Sequence, residues 1–238
     1  MGASAIGLDP EQLRDQTLFR NLAAADLEVM AAGGCLVSEA RGARIIGRGD
    51  RLDGMYTVFD GRLKLYMLSC NGDERVLRVL RPGESFGEAI MFNAIPSPVF
   101  VDALTQVELG YFPRQVIADA LARLPNFTTS MLQGMSALMR ELIQDLETCC
   151  LHSAMQRTVN YLLREAESSP PPHIAVELPA PKSVVASTLN ISAETFSREL
   201  HRLQGESLIE IDRRTIYLRD REALAALLDG GPPAARSN

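Results

Sequence analysis

No stretch of this chain reads as a secretory leader or a membrane span, so the sequence predicts a cytoplasmic protein without a membrane partner. Nor is there a histidine-based triad, a pair of catalytic carboxylates or a Walker loop. Glu84 and Glu88 alone are too ordinary to supply one, and an enzyme is not expected. Cysteine is scarce and badly spaced for metal: Cys35, Cys70, Cys149 and Cys150 form neither a CxxC pair nor a zinc-type pattern, and no metal can be named from them. They read first as small buried hydrophobes in a reducing compartment. A surplus of positive charge is also missing. The net charge is -6, with 14 Lys and Arg against 19 Asp and Glu before Leu151 and 10 against 11 from there on. Any contact with nucleic acid must therefore be local and geometric.

At 238 residues the length suits two domains, each with its own core. Asp9 to Ala31 is helical by pattern, with Pro10 suited to a first turn and Leu18, Leu22, Leu27 and Met30 on one side. From Gly34 to Phe112 the period shortens, and turn signals at Arg48-Gly49-Asp50, Asp60-Gly61, Asn71-Gly72 and Pro82-Gly83 cut the apolar alternation. MYTVF, RLKLYML and RVLRVL then read as three strands joined by tight hairpins. Val99 to Ala103 and Gln106 to Phe112 read as a further strand pair, and a barrel or jelly roll would close the edges. From Pro125 to about Leu151 the chain is helical, with Met131, Met135, Leu138, Leu142 and Cys149 on one heptad-like stripe and Met139, Ile143, Leu146 and Cys150 beside it. Two adjacent apolar seams on so long a helix predict one facing the β domain and one facing a second subunit in a parallel homodimer.

Beyond Leu151-His152-Ser153 a new helix runs from Ala154 to Glu167, a loop follows at Ser168 to Pro172, and Ile174 to Leu178 alternates as a short strand. In KSVVASTLNISAETFSRELHRL, Lys182 to Leu203, Val184, Val185 and Leu189 give one short helix an apolar face. Asn190-Ile191-Ser192 turns, and Phe196, Leu200 and Leu203 recur at helical spacing in a second helix. This is a helix-turn-helix pattern. The second helix offers Glu194, Thr195, Ser197, Arg198 and Arg202, groups of the kind that reach base edges and phosphates. Leu208 to Ile211 and Thr215 to Leu218 alternate about Asp212-Arg213-Arg214 as a wing. Lys182, Arg202, Arg213 and Arg214 suit phosphates. The fold class is thus α+β, with a β-roll sensor over 1–124, a dimerisation helix over 125–151, a winged helix-turn-helix over 152–230 and a disordered tail over 231–238.

A β-roll, a long helix and a winged helix-turn-helix in this order resemble the Crp/Fnr family of bacterial transcription regulators. GESFGE, Gly83 to Glu88, is similar to the family's cyclic-nucleotide-binding-type cassette turn, and ETFSR, Glu194 to Arg198, is similar to the recognition motif of its Fnr branch. The resemblance implies a homodimer that binds double-stranded DNA at TTGAT-N4-ATCAA-like palindromes and works with RNA polymerase. It also implies an effector site that includes Gly83, Glu84, Gly87, Glu88 and, across the cassette, Ser97. Cyclic AMP is not expected, because Ser97-Pro98 stand where the family's cyclic-AMP binders carry an Arg-Ser pair. An iron-sulfur cluster is not expected either, since no cysteine precedes Cys35. An Fnr-like helix without those features looks like the Dnr branch, which implies nitric oxide or low-oxygen sensing through haem in denitrification. Haem is a candidate cofactor for which His152, His173 and His201 all fall outside the β-roll, leaving Cys35, Cys70, a methionine or a tyrosine. A thiol switch at Cys149 and Cys150 is the alternative signal. The alternative class is a module acting through protein partners, against which the helix-turn-helix stands.

Overall fold

The computed structural model describes residues 7–167 and 175–228. It consists of two compact units, 1–141 and 142–238. The loop expected at 168–172, His173 and the tail over 231–238 lie outside the described residues.

Unit 1 begins with α1 (Pro10–Arg14), whose first turn is capped by the Asp9 carboxylate accepting from the Glu11 N–H at 2.9 Å. The helix expected from Asp9 to Ala31 is broken, because α2 begins only at Ala24 and runs to Gly33. Between them the N–H groups of Phe19 and Leu22 reach back three residues, and this tighter winding turns Leu18, Phe19 and Leu22 into the core together. Phe19 packs on Phe112 and Phe127 with ring centroids 5.0 and 5.7 Å apart. The N-terminal arm is therefore a wall of the domain.

The β domain holds β1 (Cys35–Glu39), β2 (Arg44–Ile46), β3 (Gly54–Asp60), β4 (Leu63–Leu68), β5 (Glu74–Leu80), β6 (Ser85–Phe86), α3 (Glu88–Asn93), β7 (Phe100–Ala103) and β8 (Val107–Pro113). Two four-stranded antiparallel sheets form, β1-β8-β3-β6 and β2-β7-β4-β5. Their facing side chains, among them Ile46, Val58, Leu63, Phe86, Val101 and Leu109, make one core. Two expected pairings are corrected here. MYTVF and RLKLYML do not form a hairpin: β3 and β4 lie in opposite sheets. Gly61, at φ +84, brings the backbone so close to Gln106 that a Cβ would stand 2.2 Å from its carbonyl oxygen, while the Arg62 N–H donates to Thr105 Oγ1 at 2.9 Å. Held against the 104–106 crossing, the chain changes sheet there. β7 and β8 likewise separate, one into each sheet. The hairpin β4–β5 does form, through the loop Ser69–Asp73, in which Gly72 takes φ +86.

After α4 (Arg114–Arg123), α5 spans Pro125–Leu151, and the division between units falls inside it, between Glu141 and Leu142. Phe127 and Met131 enter the core with Leu13, Phe19, Met30 and Ile117. Met131, expected in the dimer seam, is thus occupied within its own unit at 3 % exposure. Leu138 and Cys149 are half-buried. Leu132, Met135, Met139, Leu142, Ile143 and Leu146 are exposed, so the apolar face left open is turned by about one position from the stripe expected.

Unit 2 continues with α6 (Ala154–Glu167), opened by a capping box. The Ser153 hydroxyl accepts from the Gln156 N–H at 3.3 Å and the Gln156 side chain accepts from the Ser153 N–H at 3.0 Å. Then come β9 (Ala175–Glu177), α7 (Lys182–Thr188), α8 (Ala193–Gly205), β10 (Ile209–Asp212), β11 (Thr215–Leu218) and α9 (Arg221–Ala226). The small sheet has the order β10-β11-β9. Val159 and Leu162 of α6, Val185 of α7, Phe196, Leu200 and Leu203 of α8, Ile216 and Leu224 are all buried. The elements match the expected winged helix.

Candidate nucleic-acid interface

The turn between α7 and α8 is set by its backbone. Asn190 adopts φ +57, a left-handed conformation its short amide side chain tolerates, and the Ile191 N–H reaches back to the Ala186 carbonyl at 3.1 Å, ending α7 in a Schellman pattern. Ser192 caps α8, its hydroxyl oxygen accepting from the Thr195 N–H at 3.0 Å. The same hydroxyl donates to Thr195 Oγ1 at 2.9 Å, which engages Thr195 in the cap.

With Phe196, Leu200 and Leu203 buried, the opposite face of α8 is fixed outward. Glu194, Arg198, His201 and Arg202 are exposed and Ser197 is half-exposed. Spacings of three and four place Glu194, Ser197, Arg198 and His201 side by side. Among the described residues the one ion pair on Arg198 is a loose contact to Glu199 at 3.8 Å, worth little in water, so its fork stays available. Arg202 is bonded to Glu206 at 3.2 Å and must exchange that partner to reach a phosphate. Lys182 stands in the first turn of α7, where a cation gains nothing from the helix dipole.

In the wing, Arg213 takes φ +54 at the tip of the β10–β11 hairpin and is exposed. Arg214 instead turns back, its guanidinium donating to the Leu178 carbonyl at 3.4 Å. One further residue was not legible in the sequence. Arg157 of α6 donates to the carbonyls of Cys149 at 2.7 Å, His152 at 3.0 Å and Asn190 at 3.1 Å, fastening the end of α5 to the helix-turn-helix turn. Its partners are carbonyls as far as 33 residues away, which no local pattern announces.

In unit 1 the cassette glycines Gly83 and Gly87 take φ +92 and +97. Glu84 accepts from the Arg81 N–H at 2.7 Å and pairs with Arg78, which also lies 3.5 Å from Glu141 of α5. Burial pushes the Glu88 carboxyl up, against the opposing pull of the Ser85 hydroxyl, its own backbone N–H and Arg78. Ser97 is buried and donates to the Val99 carbonyl at 2.8 Å. Two carboxylates, Glu84 and Glu141, thus share one guanidinium, and the Ser97 hydroxyl is already engaged.

The sulfur candidates for a haem ligand do not converge. Cys35 lies on β1 in one sheet, and Cys70 is exposed in the β4–β5 hairpin of the other. Cys35 and Cys70 therefore do not share one site, and His152 and His201 belong to unit 2. Cys149 and Cys150 lie in the last turn of α5, and none of the four cysteines forms a disulfide.

Residues 36–123 match the model of the cyclic nucleotide-binding domain, and residues 156–227 match that of the Crp-like helix-turn-helix domain. The chain is 25% identical to the cyclic AMP receptor protein of Thermus thermophilus over 91% of this chain and 97% of that one. It is 29% identical to the nitrogen fixation regulation protein FixK of Rhizobium meliloti, over 78% of this chain and 83% of that one. Among solved structures, FixK2 from Bradyrhizobium japonicum shares the fold at a TM-score of 0.71 and 19% identity, over 86% of this chain and 99% of that one.

Proposed function

The chain belongs to the Crp/Fnr family of DNA-binding transcription regulators, and from that premise we propose that it acts as a homodimer reading a TTGAT-N4-ATCAA-like palindrome. The observation that carries the reading is the face of α8, where Glu194, Ser197 and Arg198 stand together over a fully buried Phe196-Leu200-Leu203 floor. Arg213 and Lys182 supply phosphate contacts, with Arg202 once released from Glu206. The exposed α5 seam supplies the second protomer. A twofold dimer reads half-sites on one face of the duplex, so their spacing must match the helical repeat. Inserting five base pairs between the half-sites should weaken binding by at least about a hundredfold, towards the non-specific level. Equal affinity for both duplexes would reject the symmetric reading. RNA polymerase is the partner such a dimer would recruit, in the cytoplasm.

The signal is not cyclic AMP in this reading, since a phosphate entering the cassette would meet Arg78 already paired with Glu84 and Glu141. Among the gas, haem and redox signals open to a regulator of low-oxygen or denitrification genes, the thiol arm has the better support. Cys149 continues the heptad spacing of the exposed α5 seam, and two copies would bring two thiols together across a dimer axis. Oxidation by peroxide would join them as one disulfide, with both thiol protons leaving in water. On one preparation, cyclic AMP should give no saturable heat, while mild peroxide should give a covalent dimer that Cys149→Ser abolishes. Micromolar cyclic AMP binding, or no cross-link, would overturn this assignment.

A further inference from the structure

Beside the start of the cassette turn, unit 1 carries a cleft of about 410 Å3 whose walls include Asp15, Gln16, Phe59, Asp60, Pro82, Gly83 and Glu108. Its lining has three carboxylates and no lysine or arginine. Asp60 and Glu108 are direct cross-strand partners in the β3–β8 ladder, the arrangement in which like charges work against a sheet. Among the described residues none of the three carboxylates is in a salt bridge.

A second observation is independent of charge. Gln16 is 6 % exposed, its amide nitrogen reaches the Gln12 carbonyl at 3.4 Å, and its Oε1 has no hydrogen-bond partner. A buried acceptor without a donor in a cleft wall is a place where a ligand N–H can be taken up after a small rotation of the amide. The remaining walls, Phe59 and Pro82, are apolar.

The occupant follows from what the cleft can and cannot hold. Among the described residues no group of three or more metal-binding side chains assembles, so a compact ion is not matched. A volume of this order admits a small organic molecule. We propose that the cleft binds a linear aliphatic polyamine, with ammonium groups against Asp60, Glu108 and Asp15, methylenes over Phe59 and Pro82, and one N–H on Gln16 Oε1. Binding would relieve the Asp60–Glu108 repulsion, so the ligand would also steady the sheet.

The test is calorimetry and thermal melting of the full chain, freed of DNA, with spermidine as the probe and magnesium chloride at matched ionic strength as the charge control. Spermidine should bind saturably at one site per chain and raise the melting temperature, whereas magnesium should do neither. Asp60→Asn with Glu108→Gln should weaken spermidine at least about tenfold, some 1.4 kcal/mol. Without ligand, that variant should melt no lower than the wild type. Gln16→Leu should weaken spermidine by a smaller factor with both carboxylates intact. Spermidine heats no different from those of magnesium, or unchanged in the double variant, would mean diffuse attraction to an acidic protein and overturn the site. A double variant that melts lower would overturn the like-charge argument.

Discussion

Met139→Glu combined with Leu142→Glu should sediment as a monomer at concentrations where the wild-type chain is a dimer. Leu132, Met135, Met139, Leu142 and Leu146 follow one another by three and four residues along the open face of α5, and Cys149 is the next step in that spacing. Met139 is 64 % exposed and Leu146 65 %. Burying a large apolar side chain fully is worth about 1.5 to 3 kcal/mol, so a run of this length pairs favourably with a second copy of itself. A glutamate in the seam would instead be buried without a partner, and in a dimer each substitution appears twice. Two controls separate this from general damage. Val29→Glu changes an exposed apolar residue on α2, at 66 % exposure, and should leave the dimer intact. Met131→Glu puts a charge into the core of unit 1 and should lower the melting temperature rather than only dissociate the protein. A double variant that remains a dimer would move the interface off α5.

How far the sequence could be read depended on the range of the forces involved. The floor of α8 was legible because Phe196, Leu200 and Leu203 repeat at helical spacing and nothing outside the helix alters that period. The sheet assignment was not. Asp60-Gly61 carries a strong hairpin signal, but the fate of β4 is decided by Gln106 and Thr105, more than 40 residues away, and by which faces of Val58 and Leu63 close the core. Met131 was misplaced for a related reason. Two seams on one helix differ by a single position, and only the packing of Phe19 and Phe127 shows which of them unit 1 fills. At the candidate site, the polar face of α8 emerged with its residues in place. The engagement of Thr195 by the Ser192 cap, of Arg202 by Glu206 and of Arg214 by the Leu178 carbonyl depends on side-chain directions that the order of residues does not carry.

Arg198→Ala should lose about 1 to 3 kcal/mol of binding to the palindrome, and the loss should fall on one base pair. The Arg198 side chain is 66 % exposed on a helix whose start is fixed by Ser192 and whose back is locked in the core, so its fork reaches outward from a fixed backbone. A guanidinium offers two parallel donors to guanine O6 and N7. Glu194 can accept from a cytosine or adenine amino group, and Ser197 is short enough to admit a thymine methyl. Arg213, at the tip of the wing, is assigned to a phosphate, where its loss should weaken every duplex alike and flatten the salt dependence. The central claim is that this face of α8 reads sequence. It is tested most directly by measuring, at fixed salt, the affinities of the wild type, Arg198→Ala and Arg213→Ala for the TTGAT palindrome and each of its single-base substitutions. Arg198→Ala should no longer discriminate at the guanine, while Arg213→Ala should keep the whole ranking at lower affinity. An Arg198→Ala protein that ranks the substitutions as the wild type does would contradict that claim.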